Sequence, residues 1–405
     1  MAKKVYADVL VIGGGVMGAS SCYYLSKKNL KVVLAEKSGI ATGASGSCDG
    51  FIFLQSKKDN DLISLTRESL KIFENLSEEL SYDIEFEKCG GLVIRSGSEV
   101  SGDFLDFGQF QEIGIKVELL DNKQLREIEP YICSKAATGA AFCKDEGQVN
   151  PINLTFGFAL AARKNGAELL TGKEVREIEV SSKGGLRKIK RTLLGDGTEI
   201  VAKEVLCCCG AWSGMLGTLL GIEIPIMPRR GNLIVTEALP EMLHHVILDY
   251  DYICCKFDES KELGFTIEQA KNGNLIIGST REFAGFLDGY DFSKIKSILK
   301  SAAYFFPLIK DVSIIRIFSG FRPFSKDFKP LIGSIPGFSN FSIAAGHEGD
   351  GIALSPVTGK IISELIADKL KDETPDAGIF KGIDIEKFSP GRVMPGLNNK
   401  VYECL

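Results

Sequence analysis

The chain has 405 residues, of which 44% are hydrophobic and 25% are charged, a composition that supports a substantial core and excludes wholesale disorder. Its 48 basic and 53 acidic residues give a formal net charge of −5, without the basic excess expected of a nucleic-acid-binding protein. Glycine accounts for 44 of the 405 residues, a larger share than the usual one of roughly 7%. This excess indicates many tight turns and places where the backbone approaches a ligand closely.

The chain opens with a short apolar strand followed by a glycine-rich turn. Residues 7–12 (ADVLVI) predict a buried strand, and residues 13–18 (GGGVMG) match the pattern G-x-G-x-x-G at the start of a helix that extends to about Lys27. A second strand is predicted at 31–35 and ends at Glu36. This order of elements predicts a dinucleotide-binding unit, and it does not by itself distinguish NAD from FAD.

Each residue type in this motif has a physical reason. Gly13 permits the tight turn, Gly15 lets a pyrophosphate approach the backbone, and Gly18 lets the helix pack closely on the strand. The unpaired N–H groups and the dipole at the start of the helix favour phosphate groups. Glu36 can accept hydrogen bonds from ribose hydroxyls and would repel a 2′-phosphate.

A small, polar, glycine-rich loop follows at residues 41–50 (ATGASGSCDG). Such a loop can wrap a second phosphate or the isoalloxazine ring of a flavin. A plain surface loop is the alternative, and the residues of this segment alone do not decide between the two.

The rest of the chain alternates helices and strands without internal repeats. Hydrophobic spacing and capping residues predict helices at 61–80, 104–114, 151–165 and 294–306. Apolar or alternating runs predict strands at 89–95, 174–180, 186–193, 199–201, 205–209, 231–237, 275–279 and 342–345.

One uncharged stretch, residues 205–222, reaches the length of a membrane helix of about 18 residues. It contains four glycines and breaks at Gly210 between a strand-like and a helix-like half. A buried strand that turns into a helix explains this pattern better, so we expect no integral membrane segment.

The eleven cysteines are an odd number, include no C-x-x-C pair and are accompanied by only three histidines. This pattern predicts free, buried thiols rather than a metal site, and we expect no bound metal. Free thiols, together with a start that lacks the pattern of a signal peptide, predict a cytoplasmic protein.

A second glycine-rich junction lies near the C-terminus. The predicted strand 342–345 meets residues 346–351 (GHEGDG), and a helix is predicted from Ile352 to about Leu370. If both glycine-rich helix starts face one ligand, the first holds a pyrophosphate. The second can then offer its dipole to a group that becomes negative on reduction, such as N1–C2=O of a flavin. A simple helix start is the alternative.

With these segments in place, the chain resembles the D-amino-acid-oxidase-like flavoproteins over residues 5–370. Within that family it is most similar to glycine oxidase, sarcosine oxidase and the β subunits of two-component dehydrogenases (hydrogen cyanide synthase and the opine, hydroxyproline and dye-linked proline dehydrogenases). The segments that carry the resemblance are 11–18 with Glu36, 43–50, 210–213, 231–237, 273–282, 320–323 and 346–351.

The resemblance implies an α/β fold with α+β character, in which a Rossmann-like FAD-binding domain carries an inserted substrate domain with an antiparallel sheet. The FAD-binding domain is expected to comprise residues 1–85, 145–225 and 320–372. The substrate domain is expected to comprise residues 86–144 and 226–319, and residues 373–405 form a C-terminal tail.

The family also implies which residues hold FAD. By position these are Gly13, Gly15, Val16, Met17, Gly18, Glu36, Lys37, Ser45, Gly46, Gly50, Phe51, Val175, Gly210, Trp212, Gly346, His347, Glu348, Gly349, Asp350, Gly351 and Ile352. Monomeric sarcosine oxidase carries a flavin-linked cysteine near the position of residues 319–321, where this chain has none. FAD is therefore expected to be noncovalent.

For the substrate, the resemblance implies an amino acid or N-substituted amino acid that loses hydride from Cα to flavin N5 and becomes an imine. Arg322 matches the arginine that clamps the carboxylate, and Tyr250 or Tyr252 is a candidate for a tyrosine over the substrate. His347 is expected to shape the loop beside the flavin. Gly349 stands where glycine oxidase has a second arginine, so glycine is in doubt as the substrate.

Two alternatives of other classes stay open from the sequence. The chain could be a flavin-carrying β subunit that passes electrons to a partner, or an NAD-dependent dehydrogenase that shares only the N-terminal signature. Besides the small amino-acid substrate, the expected partners are a second subunit or an electron acceptor, and we expect an oligomer. The acceptor itself, oxygen, a protein or a quinone, is not indicated by any motif.

Overall fold

The computed structural model describes residues 3–95, 107–373 and 383–394. Its helices are α1 (Val16–Ser26), α2 (Asn60–Leu80), α3 (Phe107–Glu112), α4 (Asn122–Ile128), α5 (Pro151–Lys164), α6 (Ser213–Leu219), α7 (Tyr250–Phe257), α8 (Phe292–Phe305) and α9 (Gly351–Lys371). The first nine strands are β1 (Lys4–Ile12), β2 (Val32–Glu36), β3 (Phe51–Ile52), β4 (Gly91–Arg95), β5 (Glu118–Asp121), β6 (Gly139–Cys143), β7 (Gly147–Gln148), β8 (Glu168–Thr171) and β9 (Val175–Lys183). The other nine are β10 (Leu186–Leu194), β11 (Glu199–Cys207), β12 (Ile226–Ala238), β13 (Val246–Asp249), β14 (Leu263–Gln269), β15 (Asn274–Thr280), β16 (Ile314–Ser325), β17 (Leu331–Ser334) and β18 (Phe341–Ala345).

The first sheet has the order β17-β18-β11-β1-β2-β8, and β9 and β10 join it as a hairpin next to β11. Strands β18, β11, β1, β2 and β8 are parallel neighbours. Helices α1, α2, α5 and α9 cover one face, and the β9–β10 hairpin with α6 covers the other. Because both faces are covered, Val9, Leu10 and Val11 in the centre of β1 are fully buried, as their continuous apolar run predicts.

The second sheet has the order β16-β12-β15-β14-β13-β4-β6-β5 and is antiparallel except for the pair β13–β4. Helix α8 packs on one of its faces through Ile295, Ile298 and Ala302. The fold is therefore mixed α/β, as the sequence predicts. Strands β12 and β16 lie side by side, with Gly231 opposite Gly320 and Arg229 opposite Arg322.

The strands of the second sheet come from residues 91–143, 226–280 and 314–325, which alternate along the chain with the segments of the first sheet. This distribution supports the predicted division into an FAD-binding domain and an inserted substrate domain, which we keep as a proposal. Strand β16 runs across the predicted boundary at residue 320.

Three local predictions have different outcomes. The strands predicted at 199–201 and 205–209 belong to the single strand β11, which pairs with β1 along its length and ends at Cys207, two residues before the predicted end. The uncharged stretch is the end of β11, a short turn and the seven-residue helix α6. Across the described part of the chain, no helix combines the length and the apolar character needed to span a bilayer. The start of the helix predicted at 104–114 lies outside the described residues, and α3 covers 107–112.

Candidate active site

A cavity of about 610 Å³ lies where the two sheets meet. It is bordered by residues at the carboxyl ends of β1, β2, β11 and β18 in the first sheet, and by residues of β12 and β16 in the second. Ligands of open parallel sheets bind at this edge, so the cavity has the expected place for a nucleotide.

The glycine turn at the start of α1 owes its shape to close backbone contacts. Gly13 has a φ of +115°, and a Cβ atom there would lie 2.3 Å from the carbonyl oxygen of Cys208. A Cβ atom on Gly18 would lie 1.8 Å from the carbonyl oxygen of Gly13. Gly15 itself borders the cavity. The turn thus presents bare backbone to the cavity, which a pyrophosphate requires.

The loop 41–50 is folded against this turn and is not a plain surface loop. The Oγ atom of Ser45 accepts a hydrogen bond of 2.9 Å from the backbone N–H of Val16, the first residue of α1. On the other side, Ser47 packs against β16 so closely that a Cβ atom on Gly320 would lie 2.4 Å from the carbonyl oxygen of Ser47. The loop therefore connects the start of α1 with the second sheet.

Glu36 and Lys37 border the end of the cavity next to β2. The Glu36 carboxylate accepts hydrogen bonds from the backbone N–H groups of Gly14 (2.6 Å) and Ser38 (2.8 Å). The Nζ atom of Lys37 lies 4.2 Å from the ring centre of Trp212, an arrangement typical of a cation–π contact. Val175 also lines the cavity, so three of the residues predicted to hold FAD, Glu36, Lys37 and Val175, border the same space.

The second glycine-rich helix start borders the same cavity as the first. Gly349, Gly351 and Ile352 at the start of α9 line the cavity together with Val16 and Met17 at the start of α1. The two starts nearly touch, since a Cβ atom on Gly351 would lie 3.7 Å from Cε of Met17. The sequence-based idea that two distant helix starts converge on one ligand therefore describes the geometry of this cavity.

His347 supports this junction from inside the protein. Its Nε2 atom lies 3.1 Å from Oγ1 of Thr358, and its Nδ1 atom is buried without a hydrogen-bond partner among the described residues. Burial lowers the pKa of His347 to about 3, and the nearby carboxylate of Asp350 offsets this only in part. The ring is therefore neutral at physiological pH and cannot serve as a proton donor there.

This buried neutral histidine makes stability depend on pH. Below a pKa of about 6.5, His347 is protonated in the unfolded chain but stays neutral in the folded chain. Lower pH therefore favours the unfolded state, and stability falls. We expect this group to lower the free energy of unfolding as the pH drops, with a slope that approaches about 1.4 kcal/mol per pH unit near pH 5, and His347→Gln should remove that slope. Chemical denaturation of both proteins between about pH 5 and pH 7 measures the difference, and parallel curves would contradict the assignment.

Arg322 lies on β16, half-buried, with its guanidinium group at the cavity wall. Its Nη1 atom donates to the carbonyl oxygen of Thr280 and its Nη2 atom to Oγ of Ser279, both at 2.9 Å. The group can lie across the neighbouring strand only because residue 231 is glycine, where a Cβ atom would lie 2.0 Å from Nη1. The guanidinium is thus fixed in place while its remaining N–H groups can receive an anion.

A buried charge network that was not predicted from the sequence lies beside Arg322. Arg281 donates from Nη2 to the hydroxyl of Tyr252 (2.7 Å) and from Nη1 to the carboxylate of Glu348. Nη1 of Arg229 lies 3.6 Å from the same carboxylate. Burial alone would raise the pKa of Glu348, but Arg281, Arg322, Lys256 and Arg229 together lower it to about 2. Glu348 is therefore ionised and holds two arginines.

Tyr252 borders the cavity, on helix α7, whose first turn is capped by Asp249 through a 2.7 Å hydrogen bond to the N–H of Tyr252. Because the hydroxyl oxygen accepts a bond from Arg281, its own hydrogen stays free to donate elsewhere. The sequence signal that could have placed this helix is the capping aspartate before Tyr250.

Six predicted site residues do not border the cavity; these are Gly18, Gly46, Gly50, Tyr250, Gly346 and Asp350. The first three shape the backbone, since a Cβ atom on Gly46 or Gly50 would lie 2.0 Å from a neighbouring carbonyl oxygen. The carboxylate of Asp350 instead pairs with Lys57 (3.1 Å) and Lys256 (2.7 Å). All the other predicted site residues line the cavity.

These residues fit an FAD molecule. The first turn of α1 contains no acidic residue, and Gly15 at its N-cap provides no side-chain cap. Apart from the N–H of Val16, which donates to Ser45, the N–H groups at this helix start remain for the pyrophosphate. The cavity also offers the other features that FAD requires. These are bare backbone at Gly15, the Glu36 carboxylate for the ribose and a second helix start at Gly351.

Comparisons with known proteins agree with this geometry. The family model described as "DAO: FAD dependent oxidoreductase" matches residues 8–365. The chain is similar to a glycine oxidase from Geobacillus kaustophilus, with 28% identity over 89% of this chain and 93% of the relative. It is also similar to the hydrogen cyanide synthase subunit HcnC from Pseudomonas aeruginosa, with 27% identity over 89% of this chain and 92% of the relative.

Among solved structures, the L-proline dehydrogenase from P. horikoshii has the same fold, with a TM-score of 0.84 and 22% identity over 98% of this chain and 99% of that structure. The resemblance stated from the sequence is thus confirmed. The chain belongs to the DAO family of FAD-dependent oxidoreductases.

Proposed function

We propose that this protein oxidises the C–N bond of an amino acid or N-substituted amino acid by transfer of hydride from Cα to flavin N5, with an imine as product. The observation that carries the proposal is the placement of Arg322, whose fixed guanidinium shares one cavity with both glycine-rich helix starts. Bound FAD would supply the two-electron acceptor, and the protein supplies position and charge.

The residues around Arg322 can hold the substrate in one orientation. The guanidinium would bind the carboxylate by a charge-assisted, bidentate pair, and the free hydrogen of the Tyr252 hydroxyl can donate to the same group. Holding one end of a small molecule at a rigid strand limits the directions in which its Cα–H bond can point. Hydride leaves Cα only when the amino group is neutral, so an ammonium substrate first releases one proton to water. The imine then hydrolyses in water once it is released.

An anaerobic titration tests this proposal. The purified protein loaded with FAD is mixed with a panel of D-, L- and N-alkyl amino acids while flavin absorbance is followed. We expect one of these three classes of amino acid to bleach the flavin at low concentrations of the amino acid. If no member of the panel bleaches it, the proposal is wrong.

A flavin-carrying subunit that passes electrons to a partner is a second candidate, which the similarity to a hydrogen cyanide synthase subunit favours. An oxidase produces peroxide by itself, whereas a dehydrogenase subunit reduces an artificial dye and forms little peroxide. Comparing the two products with the isolated chain distinguishes these outcomes. A second subunit and an oligomeric state remain predictions, and the NAD-dependent alternative is set aside because the family uses FAD.

The cysteines support two further parts of the proposal. All ten cysteines in the described residues are free, which fits a protein of a reducing compartment such as the cytoplasm. Cys48, Cys208 and Cys209 line the cavity, but burial is the leading cause that raises the pKa of the Cys48 and Cys208 thiols. A protonated thiol is a poor nucleophile, so these side chains are not suited to a covalent flavin link.

We therefore expect FAD to leave the protein completely on denaturation. After acid precipitation of the holoprotein, all yellow colour should appear in the supernatant with the chromatographic mobility of free FAD. Flavin retained in the washed precipitate would show a covalent link. Replacing Cys48 with serine would then test whether that cysteine forms it.

A further inference from the structure

Asp49 occupies a defined place at the Arg322 end of the cavity. Both residues line the cavity, and the backbone on each side of Asp49 is held by the second sheet. Two residues before it, Ser47 packs against Gly320 of β16. One residue after it, the N–H of Gly50 donates to both carboxylate oxygens of Glu268 on β14, at 2.9 and 3.1 Å. The loop therefore holds Asp49 in the cavity wall with little freedom.

The other charges at this end are already engaged. Glu348 accepts from Arg281 and, at 2.5 Å, from the backbone N–H of Gly349. The carboxylate of Glu268 accepts the hydrogen bonds from the backbone N–H of Gly50. Arg322 directs Nη1 and Nη2 to Thr280 and Ser279 rather than to Asp49. Asp49 accepts a backbone hydrogen bond from Phe51. Among the described residues, neither Asp49 nor Arg322 forms an ion pair, so the charges of both can still be used by a ligand.

We propose that Asp49 binds the amino group of the substrate while Arg322 binds its carboxylate. This inference rests on the proposed function and extends it, because it says that the site recognises a zwitterion by both of its charges. A carboxylic acid without an amino group would then meet a repulsive carboxylate. The site would then discriminate amino acids from simple carboxylic acids in two ways, by this repulsion and by the attraction between Asp49 and the amino group.

The surroundings of Asp49 are consistent with this function. Burial raises the pKa of its carboxyl group. Arg322, Arg281 and a backbone hydrogen bond from Phe51 offset part of that shift, and Glu348 adds to it. Glu268 faces Asp49 from β14 and is itself pushed to a raised pKa, first by burial and then by Asp49. An arriving ammonium group would supply the positive charge that this cluster of acids lacks and would favour the ionised form of Asp49.

A matched pair of ligands tests the inference without turnover. 2-Aminoisobutyrate has no Cα–H bond and cannot be oxidised in the proposed reaction, and pivalate has the same shape with a methyl group in place of the ammonium. Their dissociation constants are measured on FAD-loaded protein from the perturbation of the flavin spectrum. We expect Asp49→Asn to raise the dissociation constant of 2-aminoisobutyrate at least tenfold. The dissociation constant of pivalate should stay unchanged or fall.

Two variants serve as controls. Asp49→Glu keeps the charge and should retain part of the preference for the amine. Asp83→Asn makes the same chemical change on an exposed aspartate that pairs with Lys271, and it should behave like the unmodified protein. The FAD content and flavin spectrum of each variant report whether the site is intact.

Equal changes for both ligands in Asp49→Asn, or no change for either, would overturn the inference and leave Asp49 as a structural neighbour of Arg322. This result differs from failure of the proposed function, in which no amino acid of the panel bleaches the flavin. Loss of binding of both ligands in Arg322→Ala, together with a selective loss in Asp49→Asn, would support the two assignments separately.

Discussion

Arg322→Ala is expected to lose affinity for the amino-acid substrate by about 2–5 kcal/mol, which corresponds to about 30-fold to several thousand-fold. The side chain reaches the cavity wall from β16 and is fixed there by Thr280 and Ser279, so its removal leaves the substrate carboxylate without a partner. The measurement is the dissociation constant from anaerobic flavin reduction with whichever amino acid of the panel bleaches the wild-type protein.

Strand β16 offers a matched control. Arg316 lies six residues earlier on the same strand, is exposed and does not border the cavity, so Arg316→Ala should leave the dissociation constant unchanged. Arg322→Lys keeps a charge but not the two-pronged geometry, and should recover only part of the affinity. An Arg322→Ala protein that binds the substrate normally would show that this arginine does not bind the carboxylate.

The half of the site around α1 could be predicted from the sequence because its contacts are local. Gly13, Gly15, Gly18 and Glu36 lie within 24 residues, and each acts on a neighbour that the strand–helix–strand order brings next to it. The contact of Gly18 with Gly13 is an example, since only the turn between β1 and α1 is needed to place it. Residue type and spacing therefore contain most of the information about this half.

The substrate end could not be predicted in the same way. Arg281 is joined to Tyr252 and Glu348 across 29 and 67 residues of sequence. The three residues meet because the end of β15 lies against helix α7 and against the turn between β18 and α9. The sequence shows a glycine at 231, but only the register of β12 against β16 shows that Arg322 needs the space above it. Periodicity detects strands and says little about which strands become neighbours.

The loop 41–50 is an intermediate case. Its composition favours a ligand-binding loop but does not exclude a surface loop, because small polar residues suit both. The contacts that decide are the bonds from Val16 to Ser45 and from Gly50 to Glu268, which involve partners 29 and 218 residues away. Asp49 could therefore be read only as one more polar loop residue until these partners were known.

Gly15→Ala and Gly18→Ala are expected to fail in different ways, although the two glycines belong to one motif. A Cβ atom on Gly18 would lie 1.8 Å from the carbonyl oxygen and 2.9 Å from the carbonyl carbon of Gly13, which are backbone atoms. Helix α1 would have to move away from β1 in the centre of the core. We expect a loss of more than about 3 kcal/mol in stability, at the upper end of the cost of overpacking.

Gly15 stands in a different environment. Its backbone angles, φ of −74° and ψ of −179°, suit any residue, and the nearest atom to an added Cβ is Oγ of Ser45 at 3.2 Å. Gly15→Ala should therefore fold with a Tm close to that of the wild type, provided both proteins are compared without FAD. The added methyl group takes the space into which the pyrophosphate must come, so the affinity for FAD should fall at least tenfold, or by about 1.4 kcal/mol.

Thermal unfolding followed by circular dichroism, together with the ratio of FAD to protein after purification, measures both effects. Gly214→Ala on α6 is the control, because its Cβ atom would lie 3.4 Å from the nearest atom, an ordinary contact, and should change neither quantity. Full FAD content in a stable Gly15→Ala protein would contradict the assignment of this turn to the pyrophosphate. If Gly18→Ala is as stable as the wild type, the close packing of α1 on β1 is not required for the fold.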